Sequence, residues 1–198
     1  MSIELSPQIA LAERLPRPCS VIVPDASRID LARAISGWTI KAAEDKKMLP
    51  KTPEEILDLF GKSHSIVTVD DNGNPLSHVA ATFIYPDRRV EIGALCTNPD
   101  SQEKGFGRGV VTALLTHLNR LYPDPDNRFF ALANEDSIPL FRKVGGEKMD
   151  PSELHKDVWV ACEKCPRRQS GAKTDGNPHC CDTPIDLTNA VRKMQMQE

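Results

Sequence analysis

Gln102-Glu103-Lys104-Gly105-Phe106-Gly107-Arg108-Gly109 is the stretch whose reading decides the fold. It follows the β-branched run Val90 to Thr97 and precedes Gly107 to Tyr122, where Val110, Val111, Leu114, Leu115, Leu118 and Leu121 recur at helical spacing. A glycine-rich strand-to-helix turn leaves backbone N–H groups without intrahelical acceptors, which makes it an anion site. Lys104 and Arg108 put positive charge where the helix dipole opposes it, and an anionic ligand would remove that conflict. A tight turn carrying solvated charges is the plainer reading of the glycines alone. The dinucleotide fingerprint fails because position 110 is Val110 instead of glycine, and the P-loop spacing fails as well.

Working outward, Cys19 to Val23 reads as a strand, and Asp25 or Ser27 can cap a helix containing Ile29, Leu31, Ala34, Ile35 and Trp38. Thr52 followed by Glu55 is a capping box for a second helix ending at Gly61. Ser65 to Val69 and Leu76 to Tyr85 flank an Asn-Gly turn and predict a hairpin, with Val90 to Thr97 as the next strand. Beyond the amphipathic helix, Arg128 to Ala133 predicts a strand and Asp136 or Ser137 a cap for a short helix. Gly146 to Met149 and His155 to Val160 predict two final strands. An antiparallel meander before the glycine loop argues against a Rossmann unit, which needs parallel strands alternating with helices.

The 198 residues suit one main domain with a small appendage. The expected division is an arm over 1–17, a helix Ile3 to Leu15 closed by Pro16 and Pro18, then a domain over 18–161 and a Cys-rich tail over 162–198. Apolar residues at 39% and charged residues at 27% exclude disordered and membrane composition, and a formal charge of -3 argues against nucleic acid as a partner. Without an apolar span or a signal-peptide core, the expectation is a cytoplasmic protein that does not engage membranes.

The order strand, two helices, three strands, glycine loop, helix, strand, helix, strands resembles the GCN5-related N-acetyltransferase (GNAT) superfamily. Its cofactor motif is Gln or Arg, two residues, Gly, one residue, then Gly or Ala, matched by Gln102, Gly105 and Gly107. The likeness extends through Leu95, Asn98-Pro99, Asn134, Ser137, Leu140, Phe141 and Gly145. The resemblance implies an α/β fold with a mixed sheet that binds acetyl-CoA. By it the pyrophosphate rests on the amides of Gln102, Glu103, Lys104, Gly105, Phe106 and Gly107, with Arg108 beside them. The pantetheine would pair with Leu95, Cys96 and Thr97, and Asn134 and Phe141 would complete the site. The family pattern has an aliphatic residue where Thr97 stands, and commonly a Tyr acid where this chain has Phe141.

The implied reaction moves an acetyl group from acetyl-CoA to a primary amine of a small molecule, peptide or protein. An ammonium with a pKa of about 10.4 must first lose its proton. Glu91 is the candidate base, since period-two counting from Val90 puts it on one face with Gly93, Leu95 and Thr97. A Glu91 at the strand entry, solvated or paired with Arg88 or Arg89, is the competing reading, and His78 and His64 are reserves. The acid is left open between an unassisted thiolate, Tyr85 and Cys96. Acceptor contacts are expected around Trp38 to Lys62 and Met149 to His155.

Near the C-terminus, Cys162 and Cys165 form a CxxC knuckle that Cys180 and Cys181, next to His179, could close around a structural Zn²⁺. Free thiols on a flexible tail are the alternative. Two other functions stay open: a non-catalytic acyl-CoA sensor, or a zinc-knuckle adaptor on a degenerate scaffold. The chain is compatible with a monomer or a homodimer.

Overall fold

The computed structural model describes residues 19–102, 104–163, 165 and 182–195. The predicted arm helix over Ile3 to Leu15 lies outside them. Strand β1 (Cys19–Ile22) leads to α1 (Ile29–Glu44). Neither Asp25 nor Ser27 caps α1 directly: Asp25 Oδ1 accepts from the Ser27 N–H, forming a turn just upstream, and Arg28 stands at the cap. Helix α2 (Pro53–Gly61) does carry its capping box, with Thr52 and Glu55 exchanging side-chain and backbone hydrogen bonds.

The hairpin β2 (Ser65–Asp70) and β3 (Pro75–Ile84) turns at Gly73, whose φ of 81° suits glycine. β4 (Arg89–Thr97) follows, then α3 (Phe106–Leu121), β5 (Arg128–Ala133), α4 (Ile138–Lys143) and β6 (Glu147–Lys148). His155 to Val160 is not a strand. Lys156–Trp159 forms a 3₁₀ turn and Val160–Glu163 a short helix, α5, because Val158, Trp159 and Cys162 turn together onto Phe130. The last strand is instead β7 (Thr183–Asp186), followed by α6 (Thr188–Gln195).

The strands form one seven-stranded mixed sheet in the order β1-β2-β3-β4-β5-β7-β6. β4 and β5 run parallel and the other neighbours antiparallel. β7 enters between β5 and β6, so the boundary expected near Ala161 does not coincide with the edge of the sheet. Residues 183–195 complete the main core: Ile185, Leu187, Ala190 and Val191 are buried with the apolar stripe of α3. That stripe, Val110, Val111, Leu114, Leu115 and Leu118, covers one face of the sheet. On the other face α1 and α2 bury Leu31, Ile35, Ile56 and Phe60 against β2, and the segment from Leu154 to Cys162 covers Phe130.

Candidate active site

The pairing of β4 with β5 runs from Arg89 opposite Arg128 to Ile92 opposite Ala131 and no further. β5 continues to Ala133 by pairing with β7, and β4 continues to Thr97 by pairing with β3. Beyond Ile92 the two parallel strands therefore part, leaving a gap whose edges carry ladder groups released from pairing.

A bulge stands at the edge of this gap. His78 faces Cys96 and Ala80 faces Gly93, so Ala94 and Leu95 together oppose the single residue Val79. Ala94 takes a φ of 50°, a left-handed conformation that costs a residue with a Cβ about 1–2 kcal/mol. The extra residue also reverses the faces. Val90 and Ile92 pack with α3, whereas Ala94 packs with Leu59 of α2 and Cys96 with the α1–α2 core. Leu95 turns back to α3. Unbroken alternation from Val90 thus fails at Ala94. Glu91 and Gly93 share a face, but Leu95 and Thr97 lie on the opposite one.

The helix α3 starts beside the same gap. Gly105 caps it at φ 84°, with no side-chain cap, and a Cβ there would meet nothing within 4 Å. The first intrahelical bond runs from the Gly109 N–H to the Gly105 carbonyl, so the amides of Phe106, Gly107 and Arg108 lead the helix. A Cβ on Gly107 would lie 3.0 Å from Leu140 Cδ1 and 3.5 Å from Thr97 Oγ1. The helix start is thus close against β4 and α4, with its glycines toward open space and toward the gap. A buried relay holds it there: Thr68 Oγ1 lies 2.6 Å from Ser77 Oγ, which donates to the Phe106 carbonyl at 3.3 Å. Lys104 donates to the Asp100 carbonyl, and the exposed side chains of Gln102 and Arg108 flank the loop. Glu103 lies outside the described residues. Cradle and charge suit a diphosphate.

The other expected residues divide. Cys96 is buried among α1 and α2, and burial pushes its thiol up to about 12, so it is no acid at the gap. Asn134 is occupied at both polar ends, accepting from the Ser137 N–H at 2.9 Å and donating to the Lys47 carbonyl at 2.7 Å. Phe141 is buried against the α3 core and has no group to give a proton. His64 Nε2 lies 2.8 Å from the Tyr122 hydroxyl, near the groove described below, and burial lowers the His64 pKa.

Glu91 is half-buried and is not paired with Arg88 or Arg89. Those arginines bind Asp124 and Asp87, while the Tyr85 hydroxyl donates to Glu91 Oε2 at 2.6 Å. Burial raises the carboxyl above the ordinary glutamate range, and the Tyr85 hydrogen bond opposes that rise. The tyrosine is raised in turn, by burial and then by the Glu91 charge, and its ring packs between Phe83 and Phe130. Tyr85 is therefore a partner of Glu91, which residue spacing gave no means of selecting. A groove of about 650 Å³ opens on this face between α2 and the end of β3, lined by Lys51, Glu54, Asp58, Leu59, Thr82 and Phe83 among others. Leu59 carries the groove to Ala94, and Thr82 Oγ1 lies 3.4 Å from the Glu91 carbonyl oxygen.

Cys162 and Cys165 are both buried, joined by a Cys165 N–H bond to the Cys162 carbonyl. Among the described residues no group of three or more His, Cys, Asp or Glu side chains is placed to hold a metal. Cys180, Cys181 and His179 lie outside those residues.

A family model described as FR47-like protein matches residues 73–160, from the hairpin turn through the glycine loop to the start of α5. Comparison with curated proteins finds no match. Among solved structures, N-acetylglutamate synthase from Neisseria gonorrhoeae, complexed with coenzyme A and N-acetyl-glutamate, superposes with a TM-score of 0.59 at 16% identity. The alignment covers 85% of this chain and 34% of that one, so the chain spans about a third of that synthase's length. A Mycobacterium tuberculosis protein in complex with CoA and NLQ gives 0.57 at 16% identity, covering 83% and 96%. A GNAT superfamily phosphinothricin acetyltransferase from Sinorhizobium meliloti, in complex with AcCoA, gives 0.54 at 18%, covering 67% and 76%. The class these define is the acyltransferase fold with a mixed sheet. It is, more narrowly, the GNAT fold, as the parted β4 and β5 and the glycine-led α3 also indicate.

Proposed function

We propose that this chain is an acetyl-CoA-dependent N-acetyltransferase acting on a primary amine. The observation that carries the reading is the convergence of three features on one gap: the parting of β4 from β5 beyond Ile92, the bulge at Ala94, and the uncapped start of α3 at Gly105. The FR47-like match over 73–160 and the coenzyme A complexes of the structural neighbours support it.

In this reading the amides of Phe106, Gly107 and Arg108 hold the diphosphate, and Gly107 keeps the path past Thr97 open. Bound acetyl-CoA supplies an acyl thioester. The Leu95 N–H, in the peptide that follows Ala94 at the bulge, donates to the acyl oxygen as negative charge collects there. The acceptor enters by the groove on the opposite face of the sheet, where Glu91 waits. Glu91 lies some three residues along β4 from the bulge, roughly 10 Å at about 3.3 Å per residue, so a water relays the amine proton to it. A C–N bond forms and the C–S bond breaks. Of the two protons that leave nitrogen, the first passes through the water to Glu91 before attack and the second, released as the tetrahedral intermediate collapses, passes by way of solvent to the departing thiolate, which removes the need for a tyrosine at Phe141. The raised Glu91 carboxyl is a stronger base than a solvated one. The zinc expected from the Cys162 knuckle gains no support from the described residues, and this function does not need it.

The test is thiol release from acetyl-CoA against a panel of small, peptidyl and protein amines. Release that needs both acetyl-CoA and an amine is the expected result. Tight acetyl-CoA binding with no release on any amine would replace the enzyme with an acyl-CoA sensor, the reading Phe141 favours.

A further inference from the structure

His78 has no part in the reaction just described, and it is the most completely buried titratable side chain near the gap, with 0% of its surface exposed. Its Nδ1 lies 2.9 Å from the Ala94 carbonyl oxygen and its Nε2 lies 3.2 Å from Ser65 Oγ. A carbonyl only accepts, so Nδ1 carries the proton and Nε2 accepts from the serine hydroxyl. The edge of Phe60 closes the pocket, with ring centroids 6.1 Å apart. Burial holds the imidazole pKa near 4, so the ring stays neutral with that tautomer.

The carbonyl it holds belongs to the bulge. In an unbroken ladder the Ala94 C=O would pair with a strand neighbour, and at the bulge the His78 imidazole holds it from a side chain. Ala94 C=O and Leu95 N–H are two ends of one planar trans peptide, so fixing the first on the His78 side points the second away from β3. Away from β3 lies the gap toward β5. We propose that His78 is a positioning residue: by gripping the Ala94 carbonyl it aims the Leu95 N–H at the acyl oxygen and keeps Ala94 in its left-handed conformation. This rests on the acetyltransferase reading above for the identity of the oxygen, but not for the tautomer or the peptide orientation.

Two measurements on the full chain separate the two claims. Long-range ¹H–¹⁵N correlation on histidine-labelled protein should show His78 as the Nδ1–H tautomer, neutral from pH 5 to 8; an Nε2–H tautomer overturns the proposal whether or not the protein has activity. In the thiol-release assay, H78L should lower kcat on the order of 100-fold while the acetyl-CoA KM stays within about twofold, because a misaimed donor harms the reacting state more than cofactor binding. H78N places an amide N–H where Nδ1 stood and should recover most of the rate. A94G in the H78L background should recover part, since glycine adopts positive φ without penalty. If H78L does not fold, H78Q, which reaches Ser65 but not Ala94, takes its place. Equal losses in H78N and H78L, or a loss confined to KM, overturn the positioning role. A wild-type protein inactive on every amine sinks the enzymatic reading, and the tautomer then decides His78 alone.

Discussion

Replacing Gly107 by alanine should separate folding from cofactor binding. Gly107 sits in the first turn of α3, so an alanine fits the backbone and gains about 0.5–1 kcal/mol over glycine in a helix. The added methyl would lie 3.0 Å from Leu140 Cδ1, the far end of a side chain that can swing, and 3.5 Å from Thr97 Oγ1. At roughly 2–4 °C per kcal/mol for a chain of this size, the Tm without ligand should hold or rise by about 1–4 °C. Binding should suffer, because the methyl narrows the passage between Thr97 and Leu140 and weakens at least one charge-assisted bond to phosphate, each of which contributes about 1.5–3 kcal/mol. Acetyl-CoA at about 100 times its Kd stabilises wild type by about 2.7 kcal/mol, a rise of about 5–11 °C. A tenfold weaker site at the same concentration gives about 1.4 kcal/mol and a rise of about 3–6 °C. Differential scanning fluorimetry with and without acetyl-CoA reads both quantities. An undiminished ligand shift in G107A would refute the placement of the cofactor at this helix start.

Glu91→Gln should lower kcat for amine acetylation on the order of 100-fold and leave the acetyl-CoA thermal shift unchanged; unchanged kcat across the pH range removes Glu91 as base. The same variant has a stability signature. The folded-state pKa of Glu91 is raised, so its charge costs nothing below the unfolded value of about 4.3, and the cost grows as pH rises through the folded value. E91Q should therefore match wild type in urea melts near pH 4 and exceed it at pH 7, and equal stabilities at both would contradict a buried carboxylate. Tyr85→Phe removes the hydrogen bond that lowers the Glu91 pKa, so the acidic limb of the kcat/KM profile should move to higher pH. A limb that stays put or moves down would show that the pair does not act together.

Much of the fold was legible because local rules held. Thr52 and Glu55 form the expected capping box, Gly73 takes the positive φ its turn demands, and Gly105 and Gly107 lead α3 as the motif requires. The helix stripe from Val110 to Leu118 is buried as its spacing foretold, while Leu121 in the last turn is exposed instead, beyond the core that α3 covers. Glu91 is the one charge within Val90 to Thr97, and the structure partly shields its carboxyl behind Tyr85. Leu95 and Thr97 do not share its face as period-two counting expects, because that counting assumes an unbroken ladder and Ala94 breaks it.

By itself the chain's sequence determined the order of elements through β5, the glycine-led start of α3, and the carboxylate in β4, since caps, turns and periodic stripes act over a few residues. Tertiary structure alone decided the rest. It placed Thr183–Asp186 between β5 and β6, turned Leu95 away from Glu91, and brought His78 from β3 onto the carbonyl of Ala94. Each depends on the register between strands distant in sequence. Register is set by which side chains bury together, and no local pattern records that.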